Sequence, residues 1–297
     1  MAATFTRRDA LTLLGGAVAT LAGCRSPKNT IVAGSKNFTE QIILAELLAQ
    51  QIEAHTALRV DRRLNLGGTL ICHQAMLAGQ MDFYVEYTGT ALTAVLGEPS
   101  SNDTEAVYRT VRDAYRNRFG FEVGPPLGFN NTFAIVVRSE DAQRLKLRAI
   151  SDLVPHASQW RAGFGYEFME RSDGYPGLSR AYGLKFAAAP SIMDLGLLYR
   201  ALKEHQVDVV AGSSTDGLII ALGMAILEDD RHFFPPYEAV TILRGGALRD
   251  HPELRATLDV LGGKISDAQM RQMNYAVDAE QHDPAAVARE FRRAQGL

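Results

Sequence analysis

The chain has 297 residues, with 31 lysines and arginines against 34 aspartates and glutamates, a net charge of −3 and 46% hydrophobic residues. That balance gives no basic surface for a nucleic-acid partner, and the length accommodates two packed α/β lobes, each with its own core.

The first segment reads as an address. Arg7 and Arg8 precede an uncharged apolar run from Ala10 to Gly23 that is too short to span a bilayer with residues to spare, as in a signal-peptide core. The run ends in Leu21-Ala22-Gly23-Cys24, and small residues before a cysteine at this place resemble the processing site of a bacterial lipoprotein, in which Cys24 becomes the lipidated first residue. Thr6-Arg7-Arg8 followed by Leu11 also resembles a twin-arginine export signal, with Ala10 where that pattern usually has a large apolar residue. A plain secretory signal with a chance cysteine is the alternative. Removing residues 1–24 leaves 273 residues with a net charge of −4. No later run approaches the length of a membrane span, so membrane contact is expected through the lipid alone. Cys72, left without a partner, is expected as a small buried thiol.

Beyond the signal, strands and helices alternate. Thr30-Ile31-Val32-Ala33 is a strand candidate, and Asn37 with Glu40 three residues on can cap a helix whose Leu44, Leu47, Leu48 and Ile52 share one face. Val60, Arg62 and Leu64 suggest a second strand, and Asn65-Leu66-Gly67-Gly68-Thr69 turns into a helix holding Cys72. A short strand from Met81 then stops in Glu86-Tyr87-Thr88-Gly89-Thr90, an aromatic, hydroxyl-rich turn before the helix start Ala91–Leu96. This turn reads either as a ligand site or as an ordinary connection. A helix from Asp103 to Phe119 follows. Next, Pro125-Pro126-Leu127-Gly128 forms a boundary before the strand Phe133–Val137. The alternation restarts with a helix near Ser139–Leu145, strands at Arg161–Phe164, Leu184–Ala187 and Val207–Val210, a helix over Ile192–Glu204 and another after Thr215. Phe233-Phe234-Pro235-Pro236-Tyr237 is a second crossing, leading to the strand Ala239–Leu243 and three closing helical segments.

The expected fold is α/β, with mostly parallel sheets in two lobes. Lobe I takes residues 30–131 and 236–297, and lobe II takes 132–235. Two chain crossings are how a hinged clamp is wired. Ligands gather at the carboxyl ends of strands in such sheets, where Ser35-Lys36-Asn37, Gly67-Gly68-Thr69 and Tyr87-Thr88-Gly89-Thr90 would face one crevice.

Catalytic constellations are lacking. Gly212-Ser213-Ser214-Thr215-Asp216 has no second glycine for a nucleophile elbow, and no histidine is tied to it by motif. Gly163-Phe164-Gly165-Tyr166-Glu167-Phe168 ends in phenylalanine where a dinucleotide fingerprint needs a small residue. Asp229-Asp230 reads as a solvated turn. The histidines have no ligand spacing, and Cys72-His73 face about 100° apart on a helix. Neither metal nor cofactor is expected.

Gly34-Ser35-Lys36-Asn37-Phe38-Thr39-Glu40-Gln41, Asn65–Thr69, Glu86–Thr90, Leu127-Gly128-Phe129-Asn130-Asn131-Thr132, Asp173-Gly174-Tyr175-Pro176-Gly177-Leu178, Ser214-Thr215-Asp216-Gly217 and Phe233–Tyr237 resemble the motifs of the substrate-binding proteins of osmoprotectant ABC importers, the glycine betaine, carnitine and choline family. The resemblance runs in order along the chain after the signal. It implies a type II periplasmic-binding-protein fold that closes on a quaternary-ammonium zwitterion and delivers it, as a monomer, to an ABC permease. It places an aromatic cage at Tyr87, Phe133, position 213 and Tyr237 with Asn131 beside it, and polar or carboxylate contacts at Lys36, Gln41, Thr90 and Arg171. Judged by position alone, Phe133 reads as a core strand residue, Tyr237 as a packing residue of the crossing, and Arg171 as a solvated charge. Two departures stand out. Ser213 occupies a place where the family commonly has tyrosine, and Phe133 lacks a hydroxyl. Loss of one cation–π wall costs roughly 0.5 to 2 kcal/mol, so the second reading is a different or larger betaine, such as carnitine or ergothioneine, or a non-osmolyte solute.

Overall fold

The computed structural model describes residues 29–297, so Arg7, Arg8 and Cys24 lie outside the described residues. In chain order the strands are β1 (Thr30–Gly34), β2 (Arg59–Arg63), β3 (Phe83–Tyr87), β4 (Phe121–Asn130), β5 (Phe133–Arg138), β6 (Ala162–Phe164), β7 (Ser191–Ile192), β8 (Val209–Ser213), β9 (Met224–Leu227) and β10 (Glu238–Arg244). They form two five-stranded sheets, ordered β2-β1-β3-β10-β4 and β7-β6-β8-β5-β9.

Both sheets follow one plan. β1 is parallel to β2 and β3, and β10 runs antiparallel between β3 and β4. In the second sheet β6 is parallel to β7 and β8, and β5 runs antiparallel between β8 and β9. The reversed strand is second from one edge in each, and it is the first strand after the chain passes from one sheet to the other. The two passages lie side by side: the Asn131 N–H donates to the Tyr237 carbonyl at 3.0 Å, and the Tyr237 N–H donates to Asn130 Oδ1 at 2.6 Å.

Apolar spacing accounts for the first helix, Thr39–His55, whose Leu44, Leu47, Leu48 and Ile52 are fully buried against the first sheet. The expected cap does not form. Phe38 is the N-cap residue without a side-chain bond, and Glu40 turns into the interior instead. The expected strand Leu184–Ala187 is a loop. The Leu184 N–H donates to the Ser179 carbonyl and its own carbonyl accepts the Ser179 hydroxyl, so the end of the helix Tyr175–Tyr182 takes the groups a ladder would need. The edge strand is β7, and the following helix starts at Leu195 rather than Ile192. Pro125 and Pro126, expected in a connection, sit inside β4, an edge strand whose pairing with β10 shifts register near Val240. Proline is tolerated there because it lacks only a ladder donor. The helix expected after Thr215 spans Gly217–Ala221, and the strand β9, which the sequence did not announce, follows it.

β3 passes straight into a helical turn at Thr88–Thr90, continued by a wider π-type turn at Ala91–Val95, so the expected loop is the first turn of a helix. A Cβ on Gly89 would fall 2.6 Å from the Pro236 carbonyl oxygen and 2.8 Å from the Tyr237 ring, and glycine is what lets this turn reach the second crossing. Cys72 is buried, and burial pushes its thiol up to about 12. Among the described residues no helix is long and apolar enough to cross a membrane.

Candidate functional site

A cavity of about 340 Å³ is lined from both sheets. Strand ends supply its polar turns, as an open α/β layer dictates. Lys36 follows β1, Tyr87 ends β3, Thr90 lies in the next turn, Asn131 and Phe133 flank the first crossing, Ser213 ends β8 and Tyr237 precedes β10. Arg171 comes from the segment after the short helix Tyr166–Glu170. Eight of the nine ligand-site residues named from sequence therefore share one cavity. The ninth, Gln41, stands behind it and donates from Nε2 to the Tyr87 hydroxyl at 3.1 Å.

The rings fall into two groups. Phe133 meets Tyr237 edge to face with centroids 5.7 Å apart and Phe168 at 4.9 Å, while Phe38 stacks on Tyr87 at 6.4 Å. Register places Ser213 directly opposite Phe133, so the fourth expected wall carries a hydroxymethyl group in place of a ring. Tyr199, Leu198 and Asp216 line the same cavity.

Both resident cations have carboxylate partners. Lys36 pairs with buried Glu86, donates to the Thr69 hydroxyl at 2.9 Å and lies 5.2 Å from the Tyr87 ring centroid. Arg171 donates to Asp173 at 2.9 and 2.6 Å and to the Thr90 hydroxyl at 3.1 Å, with its guanidinium 5.0 Å from the Phe133 centroid. Asp173 also accepts from the Thr93 hydroxyl at 2.8 Å and the Tyr237 hydroxyl at 2.7 Å. Burial acts to raise the Asp173 carboxyl, but the hydrogen bonds and charge of Arg171 outweigh it and hold the group below its ordinary range.

A third buried carboxylate has neutral donors only. Glu40 Oε1 accepts from Tyr87 at 2.6 Å and Asn131 at 2.8 Å, and Oε2 accepts from Thr215 at 2.5 Å and Asn274 at 3.0 Å. Burial raises this carboxyl in spite of all four bonds. Asp216 is pushed up to about 6, chiefly by burial; bonds from Tyr199 and the Ser213 amide oppose the shift, and the charges of Glu40 and Asp278 add to it. Sequence reasoning assigned no role to Glu40, Asp173 or Asp216 in the site, although each stands inside a quoted motif.

A family model described as the substrate-binding domain of ABC-type glycine betaine transport systems matches residues 29–294. The carnitine transport binding protein OpuCC of Listeria monocytogenes is 39% identical over 268 residues, covering 90% of this chain and 87% of that protein. The ergothioneine transport permease/ergothioneine binding protein EgtU of Helicobacter pylori is 33% identical over 277 residues; the match covers 91% of this chain and 49% of that longer protein. A crystal structure described as a glycine betaine/carnitine/choline ABC transporter superposes with a TM-score of 0.74 at 34% identity, covering 90% of this chain and 98% of that one.

Proposed function

The chain belongs to the family of substrate-binding domains of ABC-type glycine betaine transport systems, and we propose that it captures a quaternary-ammonium solute between two lobes and hands it unchanged to a membrane permease. The observation that carries this reading is the cavity itself, where Tyr87, Phe133 and Tyr237 converge from three strand ends at the two chain crossings. A quaternary ammonium has no N–H to donate, and aromatic faces bind it through their quadrupoles at roughly 0.5 to 2 kcal/mol each. Lys36, Thr90 and Arg171 supply the polar side for a carboxylate or hydroxyl at the other end of the ligand.

In this reading the lobes comprise residues 30–131 with 236–297, and 132–235, and closure turns about Asn131 and Tyr237. The protein works outside the cytoplasm as a monomer, anchored through lipid on Cys24. Ser213, which stands opposite Phe133 with no ring to fill the fourth wall, favours a second reading, in which the ligand is a betaine larger than glycine betaine.

Calorimetric titration with glycine betaine, choline, carnitine and ergothioneine tests both readings. At least one should bind in the micromolar range, and preference for the larger members would favour the second reading. A folded protein that binds none of them below millimolar concentration sinks the assignment.

A further inference from the structure

The wall beside Ser213 holds a carboxylate that the cage does not use. Asp216 is enclosed by the protein, which raises its carboxyl, yet it keeps some exposure and lines the same cavity as Ser213. Its Oδ2 accepts the Ser213 N–H at 3.0 Å and the Tyr199 hydroxyl, while Oδ1 has no hydrogen-bond partner among the described residues. Lys36 and Arg171 are each paired with a buried carboxylate, Glu86 and Asp173. Asp216 has no such counter-ion among the described residues, and the charges that bear on it, those of Glu40 and Asp278, are like its own.

We infer that Asp216 is a ligand-contacting, specificity-determining residue: on the side opened by Ser213 it holds the ligand's ammonium group by charge and by hydrogen-bond acceptance, so the site takes dimethylammonium compounds that keep one N–H as well as trimethylammonium ones. This rests on the quaternary-ammonium reading of the cavity and refines it. An aromatic wall attracts a cation but is a poor acceptor, so an N–H entering an all-aromatic cage gives up its bond to water without replacement. A carboxylate oxygen replaces that bond with a charge-assisted one. The Tyr199 hydroxyl and the Ser213 amide keep Oδ2 in place, which leaves Oδ1 as the atom that meets the ligand.

Binding should also be linked to protons. Tyr199 on the helix Leu195–Lys203 bonds Asp216, and the charges of Glu40 on Thr39–His55 and Asp278 on Asp267–Asp278 bear on it, while Arg271 and Tyr275 of the latter helix pack against the neighbouring Ser214 and Gly217. A cation at Oδ1 favours the ionised carboxylate. The complex therefore holds fewer protons than the free protein, and affinity rises as pH rises through the Asp216 titration.

The test is calorimetry on the whole protein with two ligand pairs, glycine betaine against N,N-dimethylglycine and choline against N,N-dimethylaminoethanol, at about pH 5 and about pH 7.5. The dimethyl member should bind within about tenfold of its trimethyl partner, and affinity should increase with pH. Asp216→Asn should weaken the dimethyl member by about tenfold more than the trimethyl one and flatten the pH dependence. Ser213→Tyr, which puts a ring between the carboxylate and the cavity, is a second variant independent of any folding defect in the first, and it should restore the preference for three methyl groups. A wild-type protein that binds a trimethyl ligand but its dimethyl partner more than about a hundredfold more weakly overturns this inference and leaves the parent reading standing. So does an Asp216→Asn protein whose pair ratio and pH dependence match wild type. Failure of all four ligands while carnitine or ergothioneine binds overturns this inference alone, and failure of all six overturns both.

Discussion

Two buried carboxylates sit where the chain crosses between the sheets, and each holds one tyrosine of the cavity wall. Glu40, before the first crossing, accepts from Tyr87 and reaches Thr215 in the segment between the crossings. Asp173, within that segment, accepts from Tyr237 and reaches back to Thr93. The geometry is nearly reciprocal and the electrostatics are opposite. Asp173 has Arg171 and stays ionised below its ordinary range; Glu40 has hydroxyls and amides, and burial lifts it. Hydrogen-bond count therefore does not decide ionisation in these two places. The presence of one guanidinium does.

The largest expected contrast is in stability. Asp173→Asn leaves the Arg171 guanidinium, in a site where that side chain is only 10% exposed, with Glu167 at 3.8 Å as its remaining carboxylate, at a cost of about 3 kcal/mol. Glu40→Gln removes a charge that was costly to bury and keeps one acceptor oxygen for two of the four donors, so it should cost about 1 to 3 kcal/mol. Urea unfolding at neutral pH measures both. If Glu40→Gln proves the more damaging change, the contrast between paired and unpaired carboxylates is wrong.

The cavity was more legible in the sequence than the struts behind it. Polar turns at strand ends are a local pattern, and the chain order of strands and helices brings Lys36, Gly68, Tyr87 and Thr90 to one crevice wherever parallel strands dominate, whereas Ser213 was named only through the family resemblance. Glu40 looked like a helix-start residue because its partners are remote: Tyr87 is 47 residues away and Thr215 is 175. No spacing rule encodes such a pair. The prolines of β4 misled for a different reason, since Pro125 and Pro126 signal a connection unless the strand is known to be an edge.

A smaller effect separates the two carboxylates by pH. For Glu40, whose carboxyl is raised from 4.5, the associated stability is fully present below that value and is lost as pH rises through the folded-state titration. For Asp173, whose carboxyl is lowered from 3.8, the stability is present above that value and is lost as pH falls through the folded-state titration. Melting temperature across pH should then show Glu40→Gln flattening the decline on the side above pH 4.5, while Asp173→Asn flattens the acid side below pH 3.8. Asp216 and Asp278, also raised, keep part of the upper slope in every variant, so the difference from wild type is the quantity to read. Indistinguishable pH profiles for the two variants would break the comparison.

The finest test removes one hydroxyl from each tyrosine and keeps the ring. Both Tyr87→Phe and Tyr237→Phe preserve the aromatic face, so affinity for an ammonium ligand should stay within about threefold of wild type. Each should lose about 1 to 2 kcal/mol of stability with its hydrogen bond to a carboxylate. The pH dependence should differ. Without the Tyr87 hydroxyl Glu40 keeps three donors, its ionised form is less well supported, and stability should fall more steeply as pH rises above 4.5. Without the Tyr237 hydroxyl Asp173 still has both Arg171 bonds and the Thr93 hydroxyl, so the acid side should scarcely move. A steeper profile in Tyr237→Phe than in Tyr87→Phe would mean that the hydroxyls, and not the guanidinium, set the difference between the two sites.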